Sequence, residues 1–521
     1  MAQPGKDLLL GYDLGTSSLK AALFDRDGRM LSSNVADYAV AFPAAGWAEQ
    51  DPEDWWRGLC ALTPSLIAAA GASADRVAAI GFTGQMCGVV PVDRSGAALH
   101  PALIWLDTRS QPQARRITAG GPRIGGYGAL RIAQYLWLTG GAPNLSGKDP
   151  ISKMMWLHEE RPEIWARTAK LLDAKDYLVA RCTGEFHTTP DCAHLTWLMN
   201  ARGRCGWSPF LMRGAGIPEA MLPPIVLATT PAGALSRAAA ASLGLAAGTV
   251  VAAGLGDVSS FALAAGTRAP GAMHLNLGTS AVVGAHIPRS KVDPRTAVGS
   301  VVAADGRGFL LIAAQEAAGI CVDWACRMLG FERNGTPDLA AFEQAAASAS
   351  ARPRSPFFFP WLFGERVPVD DASLRAAFVG LSGSDQRADL ARAVLEGVAL
   401  NVRWAVEAVE RLLLPGKAAI RVIGGGSRSD LWCQIIADYL QRPLLRMAEP
   451  RYGGVLGAAM VASVTAGLHP DLESALAMAR TEREFAPERG LHPQVERRFA
   501  LFKDYQRRLR PWQRRLAEER L

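Results

Sequence analysis

The stretch Leu8-Leu-Leu-Gly-Tyr-Asp-Leu-Gly-Thr-Ser-Ser18 is echoed later in the chain by His274-Leu-Asn-Leu-Gly-Thr-Ser-Ala-Val-Val283. In both stretches, apolar residues typical of strands precede and follow a Gly-Thr-Ser core, which predicts a hairpin with a thin tip. One such hairpin near the start of each half indicates two related domains that face each other across a cleft. Four shared residues in 521 are also compatible with coincidence.

The remainder of the chain alternates between strand-like and helix-like segments. Strands are predicted at residues 77–82, 103–105, 250–253, 310–312 and 420–423, and helices at 52–70, 152–158, 387–413 and 431–440. Such alternation predicts mixed or parallel sheets covered by helices. We therefore predict two duplicated α/β domains, at residues 1–260 and 261–490, with the functional site in the cleft between them. Residues 491–521 are predicted to form a basic helical tail.

Composition excludes several classes of protein. The chain is 49% hydrophobic and 20% charged, which is typical of a globular protein, and its eight cysteines form no CxxC pair. The net charge of +7 lies almost entirely in residues 497–521, so no nucleic-acid-binding domain is expected. The sequence shows neither a signal peptide nor a run of eighteen apolar residues, so we expect no membrane association and a cytoplasmic location.

The first hairpin carries groups suited to phosphate. Backbone N–H groups and the hydroxyls of Thr16 and Ser17 at its tip can cradle phosphate oxygens, and the Asp13 carboxylate can hold Mg²⁺. The second hairpin has Asn276 where the first has Asp13, which would avoid a second carboxylate near the phosphates. An ordinary hairpin with an inward-facing aspartate explains the same residues.

A run of three glycines, Gly424-Gly425-Gly426, follows a predicted strand and precedes a predicted helix near Asp430. Glycines let a flat ring lie against the backbone, so this turn is a candidate adenine site. The turn matches neither GxGxxG nor GxxxxGK[ST], which disfavours a Rossmann cofactor and a P-loop. A tight turn in which Asp430 caps the helix is the alternative.

Asp257 stands at the end of an apolar strand, directly after Gly254-Leu-Gly256. A kinase that phosphorylates a hydroxyl needs a carboxylate within hydrogen-bond reach of that hydroxyl, and Asp257 is placed to be that base. Its spacing fits a helix N-cap equally well.

Two further strand ends are polar. One carries Gln85, Met86 and Cys87, and the other carries Trp105 and Asp107. Side chains at successive strand ends converge on one crevice, so these residues are candidates for a sugar pocket, although simple loop polarity would also explain them.

Together these motifs resemble the FGGY family of carbohydrate kinases, and more narrowly its xylulokinase-like members. The resemblance covers nearly all of residues 7–465. It rests on Gly11-Tyr-Asp-Leu-Gly-Thr-Ser-Ser-Leu-Lys20, Gly46-Trp-Ala-Glu-Gln-Asp-Pro-Glu-Asp-Trp-Trp56, Ile80-Gly-Phe-Thr-Gly-Gln-Met86, Lys175-Asp-Tyr-Leu178, Leu277-Gly-Thr-Ser280, Leu362-Phe-Gly-Glu-Arg366, Phe378-Val-Gly-Leu381 and Gly424-Gly-Gly-Ser427.

The resemblance implies an actin-like, ribonuclease-H-type fold in both domains, with sugar held mainly by the first and ATP by the second. Its implied partners are a small sugar or polyol, such as D-xylulose, and ATP with Mg²⁺, and it leaves room for a homodimer. The residue roles that it implies are Asp257 as catalytic base, Asp13 with Asp257 at the metal, Thr16, Ser17, Thr279, Gly319, Gly425, Gly426 and Asp430 at ATP, and Met86 and Cys87 at the sugar.

The chain departs from the xylulokinase pattern at two positions. Xylulokinases usually have His after the Met of Gly-Gln-Met and Asn after the base, whereas this chain has Cys87 and Val258. Each change removes a hydrogen-bonding group from the expected sugar pocket, so the motif alone does not identify the sugar. Two other functions fit parts of the pattern: an actin-like nucleotide-switch ATPase and a catalytically silent sugar sensor.

Overall fold

Two mixed β-sheets of similar design organise the molecule. The computed structural model describes residues 5–202, 205–349, 355–413 and 418–519. In the first sheet the strands are β1 (Leu8–Leu14), β2 (Ser18–Asp25), β3 (Met30–Asp37), β4 (Val77–Gly84), β5 (Pro231–Ala234), β6 (Val250–Ala252) and β7 (Leu255–Gly256). In the second they are β8 (Met273–Leu277), β9 (Ala281–Ile287), β10 (Gly299–Val302), β11 (Phe309–Gln315), β12 (Ile420–Ile423), β13 (Leu444–Met447) and β14 (Thr481–Phe485).

Both predicted hairpins are present, and each lies at the centre of its sheet. The order of the first sheet is β5-β6-β4-β1-β2-β3, with β7 also paired to β4, and the order of the second is β10-β11-β9-β8-β12-β13-β14. In each sheet the first strand pairs antiparallel with its hairpin partner and parallel with a strand that follows much later in the chain. The echo in the sequence therefore corresponds to a repeated topology.

Helices cover the sheets and build the connections. They are α1 (Pro52–Ala69), α2 (Gln111–Ile117), α3 (Ala129–Thr139), α4 (Pro150–Glu160), α5 (Pro162–Arg167), α6 (Ala174–Thr183), α7 (Pro190–Leu195), α8 (Pro209–Ala215), α9 (Arg237–Leu243), α10 (Asp257–Ala264), α11 (Gly319–Met328), α12 (Leu339–Ser348), α13 (Arg387–Glu410), α14 (Asp430–Leu440), α15 (Gly453–Thr465), α16 (Leu472–Ala475) and α17 (His492–Glu519). Short strands outside the two sheets are Glu49–Gln50, Val90–Val92, Ala102–Leu103, Arg123–Ile124, Tyr127–Gly128, Lys170–Leu172, Met199–Asn200, Gly206–Trp207, Glu332–Arg333, Thr336–Pro337, Phe357–Phe359 and Ala377–Val379.

The two halves of the chain meet at a closely packed seam. Helix α15, from the second half, packs on β1 and β4 of the first sheet. Its backbone comes so close that a Cβ at Gly81 would overlap the carbonyl oxygen of Ala458. Helix α10 crosses α15, and the Ser260 hydroxyl donates a 2.6 Å hydrogen bond to the carbonyl oxygen of Gly454. This seam forms the floor of the cleft.

Helix α17 lies against the second half of the chain. Phe499 and Phe502 are buried, and the Phe502 ring stacks on Phe359 with centroids 4.7 Å apart. Several of its basic residues face carboxylates, with Lys503 on Glu407 as one example. Much of the tail's positive charge is therefore paired within the molecule.

Segment positions predicted from the sequence differ from the structure mainly at their ends. Strand β12 begins and ends where predicted, whereas α13 ends at Glu410 rather than at residue 413, and the predicted strand 103–105 is the two-residue strand Ala102–Leu103. The domain limits stay a prediction, and α10 spans the proposed boundary at residue 260.

All eight cysteines are free. No helix in the part of the chain that the structure describes is long and apolar enough to cross a membrane.

Candidate active site

A cavity of about 640 Å³ opens between the two hairpins. Many of its walls are glycine backbone, because the tip of the second hairpin and the β12–α14 turn both reach it, while the first hairpin contributes Asp13 and Lys20 from its strands. Its lining includes Asp13, Lys20, Phe261, Asn276, Gly278, Thr279, Gly319, Asp323, Glu343, Gly424, Gly425, Gly426, Arg428, Ser429, Arg451 and Gly453. Four of the residues predicted to bind ATP, namely Thr279, Gly319, Gly425 and Gly426, are among them.

Glycine is required at two of these positions. Gly424 has φ +94°, a conformation that other residues rarely adopt. A Cβ at Gly319 would lie 2.6 Å from the carbonyl oxygen of Gly278, so the start of α11 approaches the second hairpin as closely as backbone allows. A flat or phosphorylated ligand can therefore lie against main chain here.

Asp257 is the first residue of α10 and is half-buried. It is not among the residues that line the cavity, but it lies near the cavity residue Asp13. Gly256 occupies the N-cap position, so the alternative in which Asp257 is the cap does not hold. Its Oδ1 accepts a 2.7 Å hydrogen bond from the N–H of Val258. Burial, together with the nearby Asp13 carboxylate, raises the pKa of Asp257 to about 7.

Asp13 lies on the same side of the first sheet and faces the cavity. Its Oδ2 is 3.7 Å from Nζ of Lys20. A Cβ at Gly454 would lie 2.6 Å from that oxygen, so the N-terminal end of α15 adjoins the carboxylate. Thr83 is opposite Asp13 in the β1–β4 register, and its buried hydroxyl has no hydrogen-bond partner among residues 5–202, 205–349, 355–413 and 418–519. An unpaired buried hydroxyl beside a carboxylate is suited to a bound ion or water.

Cys87, a predicted sugar-pocket residue, has left-handed backbone with φ +66°. Its carbonyl oxygen accepts a 2.8 Å hydrogen bond from Nζ of Lys153, and the N–H of Gly88 donates to Asp173 Oδ1 at 3.0 Å. Burial lowers the pKa of Lys153 to about 8 and raises the pKa of the Cys87 thiol. The surrounding charges thus hold a conformation that is unfavourable for cysteine.

The other residues predicted on the sugar side are connected to the first hairpin. Gln85 Nε2 donates to Gln50 Oε1 at 2.7 Å, and Trp105 Nε1 donates to Thr16 Oγ1 at 2.9 Å. Met86 packs against Gly256, the residue immediately before Asp257. Thr16 therefore contacts Trp105, one of the predicted sugar-pocket residues, and does not line the cavity between the hairpins. Ser17 is exposed and does not line that cavity either.

Three predicted site residues make other contacts. Asp107 is fully buried and accepts hydrogen bonds from Ala48 N at 2.7 Å and from Arg109. Asp430 is paired with Arg446 and Arg483, and Ser429 is the N-cap of α14. Val258 packs partly buried against apolar residues. A ligand-binding role for Asp107 and Asp430 stays a prediction. The arginine partners of both carboxylates argue against it.

Sequence reasoning missed two groups of residues. Lys20, Glu343, Arg428 and Ser429 line the cavity. Lys20 ends the quoted Gly11–Lys20 motif, and Arg428 and Ser429 directly follow the quoted Gly424–Ser427 motif, whereas no motif marks Glu343. The second group consists of the buried Lys153, Lys175 and Asp191 together with the partly buried Asp173. Lys153 and Asp173 contact the Cys87–Gly88 peptide, whereas Lys175 and Asp191 contact the main chain of Ala253 and Gly256, just before Asp257. Lys175 belongs to the quoted Lys175-Asp-Tyr-Leu178 motif, but no short pattern marks Asp191.

The repeated sheets and the carboxylate-lined cleft between them define the class of two-domain α/β kinases. The chain belongs to the FGGY family of carbohydrate kinases: the family's N-terminal domain matches residues 8–264 and its C-terminal domain matches residues 273–466. This confirms the predicted family and the two-domain α/β fold.

Individual relatives cover most of the chain. Xylulose kinase of Bacillus subtilis is 31% identical over 89% of this chain and 89% of its own length. Xylulose kinase of Escherichia coli is 30% identical over 97% of this chain and 99% of its own. The crystal structure of a xyloylose kinase from Brucella ovis has a TM-score of 0.85 at 29% identity, covering 97% and 100% of the two chains. The chain is thus a carbohydrate kinase, a phosphotransferase with an alcohol group as acceptor, and its family uses ATP.

Proposed function

We propose that the chain transfers the γ-phosphate of ATP to a hydroxyl of a pentulose such as D-xylulose, giving D-xylulose 5-phosphate, or of a related sugar or polyol. The observation that carries this proposal is a pair of neighbouring carboxylates, of which Asp13 lines the cavity and Asp257 lies near Asp13. Asp257 begins α10 at the end of the first sheet, and the charge of Asp13 contributes to raising its pKa to about 7. A carboxylate with a pKa near neutrality is suited to accept a proton from a hydroxyl.

In this mechanism Asp257 accepts the proton of the acceptor hydroxyl as that oxygen bonds to the γ-phosphorus of ATP, while the bond from that phosphorus to the β–γ bridging oxygen breaks and ADP leaves. Positioning supplies much of the remaining rate, because phosphoryl transfer requires the attacking and leaving oxygens to be nearly in line. Met86, packed on Gly256, and Cys87, held by Lys153, support an acceptor pocket beside Asp257. Helix α10 packs on α15, where the buried Ser260 hydroxyl donates to the carbonyl oxygen of Gly454.

The residues of the cavity fit a magnesium nucleotide. Within the described residues, no group of three or more His, Cys, Asp or Glu side chains could hold a metal by itself. Mg²⁺ commonly binds through one or two carboxylates together with water and substrate phosphates. Asp13, with Asp257 and the unpaired Thr83 hydroxyl nearby, provides such a partial site. When bound there, Mg²⁺ would neutralise charge on the phosphates.

The identity of the sugar is proposed from the names of the relatives, which are xylulose kinases. Cys87 and Val258 replace residues that would offer stronger hydrogen bonds, so we expect altered selectivity among ketoses and polyols. A coupled ATPase screen across pentuloses, hexuloses, tetritols and pentitols tests the substrate. Turnover with none of them would contradict the proposal. The homodimer and the cytoplasmic location stay predictions.

The Asp257→Asn variant tests the chemical role directly. We expect kcat to fall by about 10²–10⁴-fold, because the base is lost, while nucleotide and sugar still raise the melting temperature. Asp438→Asn is the control. Asp438 is a buried carboxylate in α14 that does not line the cavity, and its Oδ1 accepts a 2.8 Å hydrogen bond from the N–H of Glu488. A wild-type kcat in Asp257→Asn would exclude Asp257 as base.

Two results with the wild type would favour the alternative functions. Filaments formed with ATP and no sugar would favour the nucleotide-switch ATPase, and sugar binding without turnover would favour the catalytically silent sugar sensor.

A further inference from the structure

Asp191 is a fully buried carboxylate directly beneath the turn that carries Asp257. Its Oδ2 accepts a 2.8 Å hydrogen bond from the N–H of Gly256, the residue immediately before Asp257. Its Oδ1 accepts from the Thr189 hydroxyl at 2.6 Å and from the N–H of Cys192 at 2.9 Å. Both carboxylate oxygens are therefore used, and the partner of one of them is main chain of the active-site turn.

A second buried charge holds the same segment. Lys175 is paired with Asp176, and its Nζ also donates to the carbonyl oxygen of Ala253 at 3.3 Å. Between the two anchored peptides, Gly254 has φ +79°, and a Cβ there would overlap the carbonyl oxygen of Phe82. Residues 253–256 are thus fixed from below at both ends, by Lys175 at the carbonyl of Ala253 and by Asp191 at the N–H of Gly256.

Helix α7, which carries Asp191, also reaches the second sheet. The Nδ1 of His194 accepts a 3.0 Å hydrogen bond from the N–H of Val302 in β10, so Nε2 carries the proton and donates to the carbonyl oxygen of Thr139 at 2.7 Å. One short helix therefore contacts the Asp257 turn at its first residues and the other half of the molecule near its last residues.

We propose that Asp191 is a positioning residue for phosphoryl transfer: by holding the N–H of Gly256 from a helix that is itself fixed to the second sheet, it sets the Asp257 carboxylate in the cleft. This inference rests on the proposed role of Asp257 as base. Hydrogen bonds from main chain to a carboxylate are stronger than neutral ones, and the anchored group is main chain next to the base. Loss of this bond would let the start of α10 shift, and small shifts of a reacting group are costly to rate.

The test compares Asp191→Asn and Asp191→Ala with the wild type in steady-state kinetics, with D-xylulose or the best substrate of the screen. We expect kcat to fall between about 10- and 100-fold, with the larger loss in Asp191→Ala, while the KM values for sugar and ATP stay near those of the wild type. Asn keeps one acceptor oxygen, so it should retain part of the bond to Gly256. The Asp438→Asn control should lower the melting temperature without changing kcat.

A double-mutant cycle separates this inference from the proposed function. If Asp191 acts through Asp257, Asp191→Asn should have little further effect on kcat in the Asp257→Asn background. A wild-type kcat in Asp257→Asn would refute the base itself. A large loss in Asp257→Asn with a wild-type kcat in Asp191→Asn would overturn only the positioning role. Additive losses, or a raised KM at constant kcat, would also overturn it. If Asp191→Ala fails to fold, the Asp191→Asn results decide.

Discussion

Asp257 shows how one side chain acquires its chemistry from its surroundings. An aspartate in water is ionised well below neutral pH. Burial disfavours the charged form and the Asp13 carboxylate repels it, while the N–H of Val258 stabilises the charge by a direct hydrogen bond. The raised pKa is therefore a consequence first of burial and then of the nearby Asp13 carboxylate.

The pH dependence of the reaction follows from this pKa. The base must be ionised, and below its raised pKa of about 7 the carboxyl is increasingly protonated. We therefore expect kcat/KM to fall about tenfold per unit as pH decreases below 7, and to level off above it. The measurement is kcat/KM from pH 5.5 to 9, with the melting temperature followed in the same buffers as a control for unfolding. A flat profile down to pH 5.5 would contradict the raised pKa.

Cys87 shows a different effect at the same scale. Its left-handed backbone is unfavourable for a residue with a Cβ, yet Lys153 and Asp173 hold the carbonyl oxygen and the N–H of the peptide that joins Cys87 to Gly88. The buried charges beneath the sugar side thus act on main chain rather than on ligand. The same is true of Asp191, so the polar layer under the cleft is support for the turns above it.

At the scale of elements, α7 links the first sheet's active-site turn to the second sheet. This helix of six residues is too short to be stable by itself, and buried polar contacts at both of its ends fix its position. His194 makes two of those contacts, and burial lowers its pKa to about 4. The acceptor role of Nδ1 requires the neutral ring.

The stability of this link should depend on pH. Because the pKa of His194 in the fold lies below its unfolded value of about 6.5, the stability it confers is present above that value and is lost as pH falls towards 4. We expect the melting temperature to fall between pH 7.5 and pH 5.5 in the wild type, and to fall less in the His194→Gln variant. His492→Gln, which changes an exposed histidine at the start of α17, is the control and should follow the wild type. Parallel curves for His194→Gln and wild type would contradict the prediction.

At the scale of the whole molecule, the two halves are joined by a seam of main-chain contacts. Helix α15 belongs by sequence to the second half but packs on the central strands of the first sheet, where Gly11 and Gly81 leave room for its backbone. The cleft opens at the end of this seam. Packing at Gly81 is therefore expected to affect the stability of both halves together.

The Gly81→Ala variant tests the seam. Its Cβ would overlap the main chain of Ala458, which cannot move without displacing α15, so we expect a loss of about 1–3 kcal/mol in the free energy of unfolding. Gly383→Ala is the matched control, because its Cβ would meet no atom within 4 Å and its φ is not positive, and it should change stability by less than about 0.5 kcal/mol. Denaturant titration measures both. Equal stability of the two variants would show that the seam is loosely packed.

The sequence by itself determined the duplicated hairpins, the alternation of strands and helices, and the family. These follow from local patterns: period-two apolar runs, glycine turns, and motifs such as Gly11-Tyr-Asp-Leu-Gly-Thr-Ser-Ser-Leu-Lys20, all of which depend on residues close together in the chain. Strand β12 could be bounded for the same reason, since Gly424 ends its apolar run.

Only the tertiary structure decided which partners the polar residues have. Asp107 and Asp430 have the same strand-end or turn setting as Asp13 and Asp257, but Arg109 and Arg446 pair with them. Asp191 lies 65 residues before Gly256, so its bond to that peptide has no local signal. Electrostatic and main-chain contacts between distant segments depend on how the sheets are brought together. The sequence therefore identified the family and predicted Asp257 as the base, while the buried residues that contact the segment before Asp257 became visible only in the fold.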